Sequence, residues 1–254
     1  TPIKSSAASD VYKRQGDIIM GKGKKNRKAK RAAKAKQRRE IRIKMGKPTY
    51  LTLIRCPRPI TEVANHYTYK ATIYRTSYKK ANIHNVRWQA SSLTYCNFSS
   101  SHCLGVDFLN SNLKKSSFKN AVLEDVVFCN CNLKDADFTG AKFKRVAFIT
   151  TNTSVAKNLI LNEECHVYRT YPKLELMPET EKALLQLSEY SSLYKYGVLF
   201  VNKNKLNKWI LQFLIDIYGY DSLRALIALK GKKNKRCLYS VHSYMKHIEN
   251  YLKL

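Results

Sequence analysis

The residues of this chain best suited to chemistry are lysines and arginines, and they are clustered. Lys24, Lys25, Arg27, Lys28, Lys30, Arg31, Lys34, Lys36, Arg38 and Arg39 all fall in residues 20–48, a segment with fourteen Lys/Arg and one Glu in a chain of formal charge +29. A cationic arm of this density attracts polyanions such as RNA, DNA or anionic lipid surfaces. It contains no aromatic residue, so it offers no stacking platform to single-stranded bases. Contact through it is expected to be phosphate-led, salt-sensitive and weakly sequence-selective. It also lacks the apolar face of an amphipathic membrane anchor. A second basic cluster, Lys232, Lys233, Lys235 and Arg236, follows Gly231. It either extends the polyanion footprint or forms a soluble loop at a helix C-terminus, where cations suit the dipole.

The rest of the chemical inventory is thin. Gly21-Lys-Gly23 lacks the remainder of a phosphate-cradling loop, and neither HExxH nor a nucleophile elbow occurs. The six histidines are scattered, and His242 and His247 are five apart, which is not a ligand pair on one helical face. Cys129 and Cys131 are expected to point to opposite sides of the backbone, and Cys165-His166 has no second pair at finger spacing. The reading is therefore a non-enzyme without metal or cofactor. Seven cysteines without a disulfide-framework spacing, together with the lack of an apolar run of about eighteen residues, point to a reduced, cytoplasmic protein.

The elements that must carry these residues are set by a different pattern. From Ala71 to Thr150 the chain repeats every five residues: ATIYR TSYKK ANIHN VRWQA SSLTY CNFSS SHCLG VDFLN SNLKK SSFKN AVLED VVFCN CNLKD ADFTG AKFKR VAFIT. The first residue of each unit is small or β-branched. The third is large: Ile73, Tyr78, Ile83, Trp88, Leu93, Phe98, Phe108, Leu113, Phe118, Leu123, Phe128, Leu133, Phe138, Phe143 and Phe148, with only Cys103 undersized. A period of five fits neither a helix nor a plain strand, so the chain must turn a corner at each repeat. At a spacing of twenty, Phe108, Phe128 and Phe148 fall in one column and Phe98, Phe118 and Phe138 in another. Like over like is how a solenoid fills its core.

Units such as CNLKD, ADFTG, SNLKK and ANIHN resemble pentapeptide-repeat proteins, and sixteen successive units keep register without an insertion. The resemblance covers about a third of the chain. It implies a right-handed quadrilateral β-helix with four repeats per coil, and dimer contacts through exposed coil ends. Some members of that family protect DNA gyrase, and are thought to do so by presenting acidic stripes that mimic DNA. Residues 81–155 carry eight Lys/Arg and five Asp/Glu, so mimicry is disfavoured here. On the outer surface Glu124 and Asp125 should precede Lys144 and Arg145 by one coil, and Lys115 should precede Asp135. These are read as exposed pairs worth about 0.2–1 kcal/mol each.

The expected organisation is mainly β with α. Residues 1–19 resemble a translated sequencing adaptor and are set aside as non-native. Residues 20–48 form a disordered or helical basic arm, and 49–70 form strands that cover the first coil. Residues 71–155 form the β-helix, and 156–254 a small helical bundle, docked on the solenoid's C-terminal end or forming its own domain. Leu206, Trp209, Ile210, Phe213, Leu214 and Ile217 mark one helix ended by Gly219, with Asp221 placed to cap the next. A last helix from Ser240 carries Val241, Tyr244, Met245, Ile248, Tyr251 and Leu252 on one stripe. The functional expectation is a binding scaffold whose arm contacts RNA or DNA phosphates. The alternative is a protein-interaction module, including the topoisomerase-protecting type, with the arm as a solubility or targeting tail. Partners in either case include a protein on the solenoid or bundle and a second copy of the chain.

Overall fold

Backbone geometry gives the period of five its physical cause. Almost every fifth residue adopts a left-handed conformation, from Arg55 (φ 50°) and Asn65 (φ 49°) through Asn85, Tyr95 and Asp125 to Arg145 (φ 50°) and Thr150 (φ 45°). Each such residue makes a corner. Asn and Asp recur at these corners because their short polar side chains tolerate that region, and Gly105 and Gly140 occupy it without penalty.

The computed structural model describes residues 50–254 apart from Lys233, Asn234, Arg236 and Cys237, and in addition Ala33 and Gln37. Residues Tyr50–Leu254 form one compact unit. The basic arm and residues 1–19 otherwise lie outside the described residues.

The straight segments between corners are short parallel strands. They are β1 (Thr52–Ile54), β2 (Glu62–Tyr69), β3 (Thr72–Tyr74), β4 (Asn82–Gln89), β5 (Ser92–Thr94), β6 (His102–Leu109), β7 (Val122–Glu124), β8 (Val127–Cys129), β9 (Lys142–Lys144), β10 (Val146–Ile149) and β11 (Cys165–Tyr168). Pairing is parallel and offset by twenty: Ile83 faces Cys103, and Phe108 faces Phe128. The segment expected to cover the first coil is itself a coil, since Leu53 pairs with Ile73 and Val63 with Ile83 in the same register. At the other end the solenoid runs past residue 155, and Val146 pairs with Cys165, nineteen residues on. The spacing of twenty holds as far as Asp137 with Lys157, so the last coil is one residue short after that point.

The core is a set of stacks. Phe98, Phe118 and Phe138 lie parallel at 4.9 Å between ring centroids, and Phe108, Phe128 and Phe148 at 5.1 Å. The oversized residues join these columns, Tyr78 on Phe98 at 4.8 Å and Trp88 on Phe108 at 5.2 Å. The two columns meet edge to face, the geometry aromatic quadrupoles favour. Small hydroxyl residues in the first slot pair backbone groups that the coil leaves over. Ser116 Oγ accepts from the Cys96 N–H (3.0 Å) and donates to the Leu93 carbonyl (2.6 Å).

The helical region comprises α1 (Pro178–Gln186), α2 (Ser191–Tyr194), a hairpin of β12 (Phe200–Asn202) with β13 (Lys205–Leu206), α3 (Lys208–Tyr218), α4 (Asp221–Ile227) and α5 (Val241–Leu252). Pro178 opens α1 at a position where its missing N–H is harmless. Three expectations change. Leu206 belongs to the hairpin. Asp221 is the first residue of α4 and makes no cap bond, its carboxylate lying 3.4 Å from Arg224. Tyr251 is half exposed, while His242, absent from the expected stripe, is buried.

The region does not sit on the solenoid's end. It packs along one flank, where Val127, Ala147 and Ile149 share a single apolar cluster with Phe213, Leu214, Leu226, Tyr244 and Ile248. The reason lies in the outward positions. On this flank the residues beside each central aromatic are apolar in the later coils, as in VVFCN and VAFIT, whereas the other faces carry Ser, Thr, Asn and Lys. An apolar outward strip must be covered, and the helices cover it.

Candidate functional site

The flank under α5 is the most chemically organised place in the protein. Four corners stacked at intervals of twenty, Asn85, Gly105, Asp125 and Arg145, run beneath the helix. Asn85 Oδ1 accepts hydrogen bonds from the Ser240 and Ser243 hydroxyls at 2.8 and 2.6 Å. Asp125 receives Arg145 Nε at 2.5 Å and Nη2 at 2.8 Å, and His242 Nδ1 at 2.6 Å. Arg145 then reaches Glu249 on α5 at 3.0 Å. Burial pushes the Asp125 carboxyl up, but the hydrogen bonds from His242 and Arg145 outweigh it and hold the group below the usual carboxylate range. Asp125, read from the sequence as an exposed outward residue, is 1% exposed. Only its neighbour pair, Glu124 with Lys144 at 2.8 Å, lies on the surface. Lys115 pairs with no Asp135 carboxylate; its ammonium lies over the Tyr95 ring at 5.6 Å.

One strand over, Arg87 and Asp107 form a buried ion pair at 2.6 Å. Arg87 also donates to the Gly197 carbonyl (3.0 Å), and Asp107 accepts from the Val241 N–H at the start of α5 (3.1 Å). Burial pushes the Asp107 carboxyl up to about 6, against the pull of Arg87 and of that N–H. These groups are spoken for by the docking of α5. They form a structural seam, in which Arg87 Nε and His242 Nε2 remain buried without a hydrogen-bond partner.

Elsewhere the described residues offer little for catalysis. No group of three His, Cys, Asp or Glu converges to hold a metal among them. Burial pushes the Cys103 and Cys131 thiols up to about 12 and Cys96 and Cys129 up to about 11, which removes thiolate character at neutral pH. The clefts lie at the coil ends. One of about 150 Å³ is lined by Leu53, Val63, Thr68 and Trp88, and one of about 370 Å³ by Phe138, Phe143, Asn158 and Ile160. Both are largely apolar mouths of the solenoid.

The residues expected to grip phosphates divide as follows. Lys24, Lys25, Arg27, Lys28, Lys30, Arg31, Lys34, Lys36, Arg38 and Arg39 lie outside the described residues, as do Lys233 and Arg236. Lys232 is exposed. Lys235 is turned inward: its ammonium donates to the carbonyls of Lys230 (3.1 Å) and Lys232 (2.5 Å) and lies 4.3 Å from the Tyr190 ring centre. It serves a helix end, where the dipole favours a cation.

The uncovered faces of the rod differ along its length. In the later coils several charges neutralise each other, as in Lys119 with Asp137 (3.2 Å) and Lys157 with Asp135 (3.9 Å), while Lys114, Lys134 and Lys142 have no carboxylate partner among the described residues. In the earlier coils Arg55, Lys70, Arg75, Lys79 and Lys80 have no carboxylate partner among the described residues. Tyrosines stand in place of one: Arg75 lies 5.3 and 5.4 Å from the Tyr74 and Tyr95 rings, and Lys70 5.0 Å from Tyr69. Tyr74 and Tyr95 meet edge to face at 5.5 Å. The interleaving of rings and cations was missed in the sequence, although Arg75 and Tyr95 are twenty apart and could have shown it.

A family comparison agrees with the repeat. Residues 81–157 match the family model of the pentapeptide repeat region. Among solved structures, the pentapeptide repeat protein Rfr23 of the cyanobacterium Cyanothece 51142 is 13% identical, covering 43% of this chain and 86% of its own at a TM-score of 0.21. Full-length QnrB1, a plasmid-mediated fluoroquinolone resistance protein, is 11% identical over 54% of this chain and 96% of its own, TM-score 0.17. A pentapeptide repeat protein of the Arabidopsis thaliana thylakoid lumen is 15% identical over 50% and 75%, TM-score 0.16. At these scores the likenesses carry no argument. No curated protein matches the chain. The matched repeat region, the twenty-residue parallel register and the left-handed corners together identify the rod of this protein as a pentapeptide-repeat solenoid.

Proposed function

We propose that this protein is a non-enzymatic binding scaffold: a stiff pentapeptide-repeat rod with a basic arm that contacts nucleic-acid phosphates without strong sequence preference. The observation that carries the reading is the charge of residues 20–48, fourteen Lys/Arg against one Glu. Such a segment neutralises several phosphates at once and releases their counterions, so affinity falls steeply with salt. The unpaired cations of the early coils add to the same polyanion preference. Six described cysteines are unpaired thiols, which suits a cytoplasmic site of action.

A polyanion-mimicking role, as in a topoisomerase-protecting protein, is disfavoured by the structure of the repeat. Asp107 and Asp125 are buried, and Glu124, Asp135 and Asp137 are each paired with a lysine. No acidic stripe is left among the described residues of the rod. The test is fluorescence anisotropy of the full chain with labelled duplex DNA and RNA, from about 50 mM to about 200 mM salt. A version with Lys24 to Arg39 changed to glutamine is compared. Loss of affinity and a flatter salt slope in the glutamine version support the reading. Equal binding by both sinks it and moves attention to a protein partner.

A further inference from the structure

One edge of the rod supplies what the arm lacks. The arm has no aromatic residue, but four successive corners of the solenoid hold Arg55, Arg75, Tyr95 and Lys115, stacked at about 4.8 Å per coil. Tyr74 stands beside them on the adjoining face. Tyr95 is 39% exposed and Arg75 is exposed. The Arg75 guanidinium lies over both rings and the Lys115 ammonium over the second, so a base stacks on Tyr95 as one of these long side chains swings from the ring face to a phosphate. No carboxylate among the described residues neutralises these cations. Acidic residues enter the edge only at Asp135, which already faces Lys157.

We infer that this edge binds a single nucleic-acid strand, with Tyr74 and Tyr95 as base-stacking platforms and Arg55, Arg75 and Lys115 on the phosphates. The inference rests on the proposed nucleic-acid reading of the arm and adds the strand state of the ligand. Aromatic rings recognise base faces, which a duplex hides and a single strand exposes. A guanidinium held against rings keeps its planar fork ready for a phosphate. A duplex would use the cations and leave the rings idle. A membrane surface would call for several apolar side chains around the rings, whereas the exposed Ile54 beside Tyr74 stands among Thr72, Thr94 and the three cations. The arm then provides affinity through charge, and the edge provides preference for unpaired bases. RNA and DNA strands share the chemistry the edge recognises.

The test uses the full chain with labelled oligo-dT, oligo-U and a duplex, each of roughly 15 nucleotides. Three variants are compared: Tyr95→Asn, which the left-handed corner accepts, Tyr74→Ser and Arg75→Gln. None touches the stacked core, and unchanged thermal melts by circular dichroism confirm that each folds. The expected result is tighter binding of single strands than of duplex by the unaltered chain, with roughly tenfold or greater loss for single strands in each tyrosine variant. Duplex affinity should stay unchanged in the two tyrosine variants and fall in Arg75→Gln. The oligo-dT and oligo-U arms then separate DNA from RNA. If single-strand affinity is untouched by the variants while the glutamine arm loses all binding, the edge assignment is overturned and the arm reading survives. If the unaltered chain binds neither strands nor duplex, both fall. Equal binding of polyglutamate would overturn the inference in favour of an acidic protein.

Discussion

Gly105 and Gly140 occupy equivalent corners with the same φ of 68°, yet replacement by alanine should affect them unequally. The left-handed conformation costs an alanine about 1–2 kcal/mol at either site. That cannot be the reason for glycine at 105, because Asn85, Asp125 and Arg145 adopt the same conformation in the same column. The difference is what a Cβ would meet. At Gly140 it would run into the Asn120 side-chain oxygen, the free end of a flexible group that can swing away. At Gly105 it would overlap Cβ, Cγ and Cδ2 of His242. His242 is 4% exposed and tied to Asp125, so α5 itself has to move. Overpacking of this kind adds about 1–3 kcal/mol. Gly105→Ala should therefore cost about 2–5 kcal/mol and Gly140→Ala about 1–2. Urea unfolding followed by far-ultraviolet circular dichroism measures both, and amide exchange of α5 shows whether that helix loosens in the first variant alone. Equal losses in the two variants, with α5 protection unchanged, would refute the claim that the approach of α5 selects glycine. Adding His242→Ala should restore only part of the loss, because the Cβ remains.

Two further outcomes follow from the seam under α5. Arg87→Met or Asp107→Leu alone leaves a buried charge without its partner and should cost about 3–5 kcal/mol, whereas the double variant should cost less than either. Simple additivity in a denaturant-unfolding cycle would show that the pair is not coupled. The two carboxylates also give opposite pH signatures. Asp107, raised to about 6 in the fold, favours its protonated form, so its contribution declines as pH rises from about 4 to about 6; that slope should vanish in Asp107→Asn. Asp125 is depressed, so its stabilisation is present above about 4 and is lost only as pH falls below that value. Stability-against-pH curves of the parent and the Asn variant that superimpose between pH 4 and 6 would contradict the first statement.

The solenoid was legible because its information is local and repeated. A residue in one coil touches the residue twenty positions on, so Phe108 over Phe128 is written in the chain as a fixed interval, and a corner every fifth residue keeps that interval constant. The same logic placed Cys96, Cys103 and Cys131 correctly in the interior.

The flank was not legible, and the reason is distance along the chain. Asp125 reads as one more polar outward residue until His242 arrives from 117 positions away, and Asp107 until the Val241 N–H arrives from 134. Nothing periodic encodes those meetings, since each occurs once. A buried ion pair and an exposed one have the same sequence signature, a cation twenty residues from an anion, and only what covers them separates Arg145–Asp125 from Lys144–Glu124. The sequence alone determined the coil, its core and its charge. The tertiary structure decided which face of the coil was buried beneath the helices and which edge was left in water, because burial of a repeat's outer surface depends on a partner that lies outside the repeat.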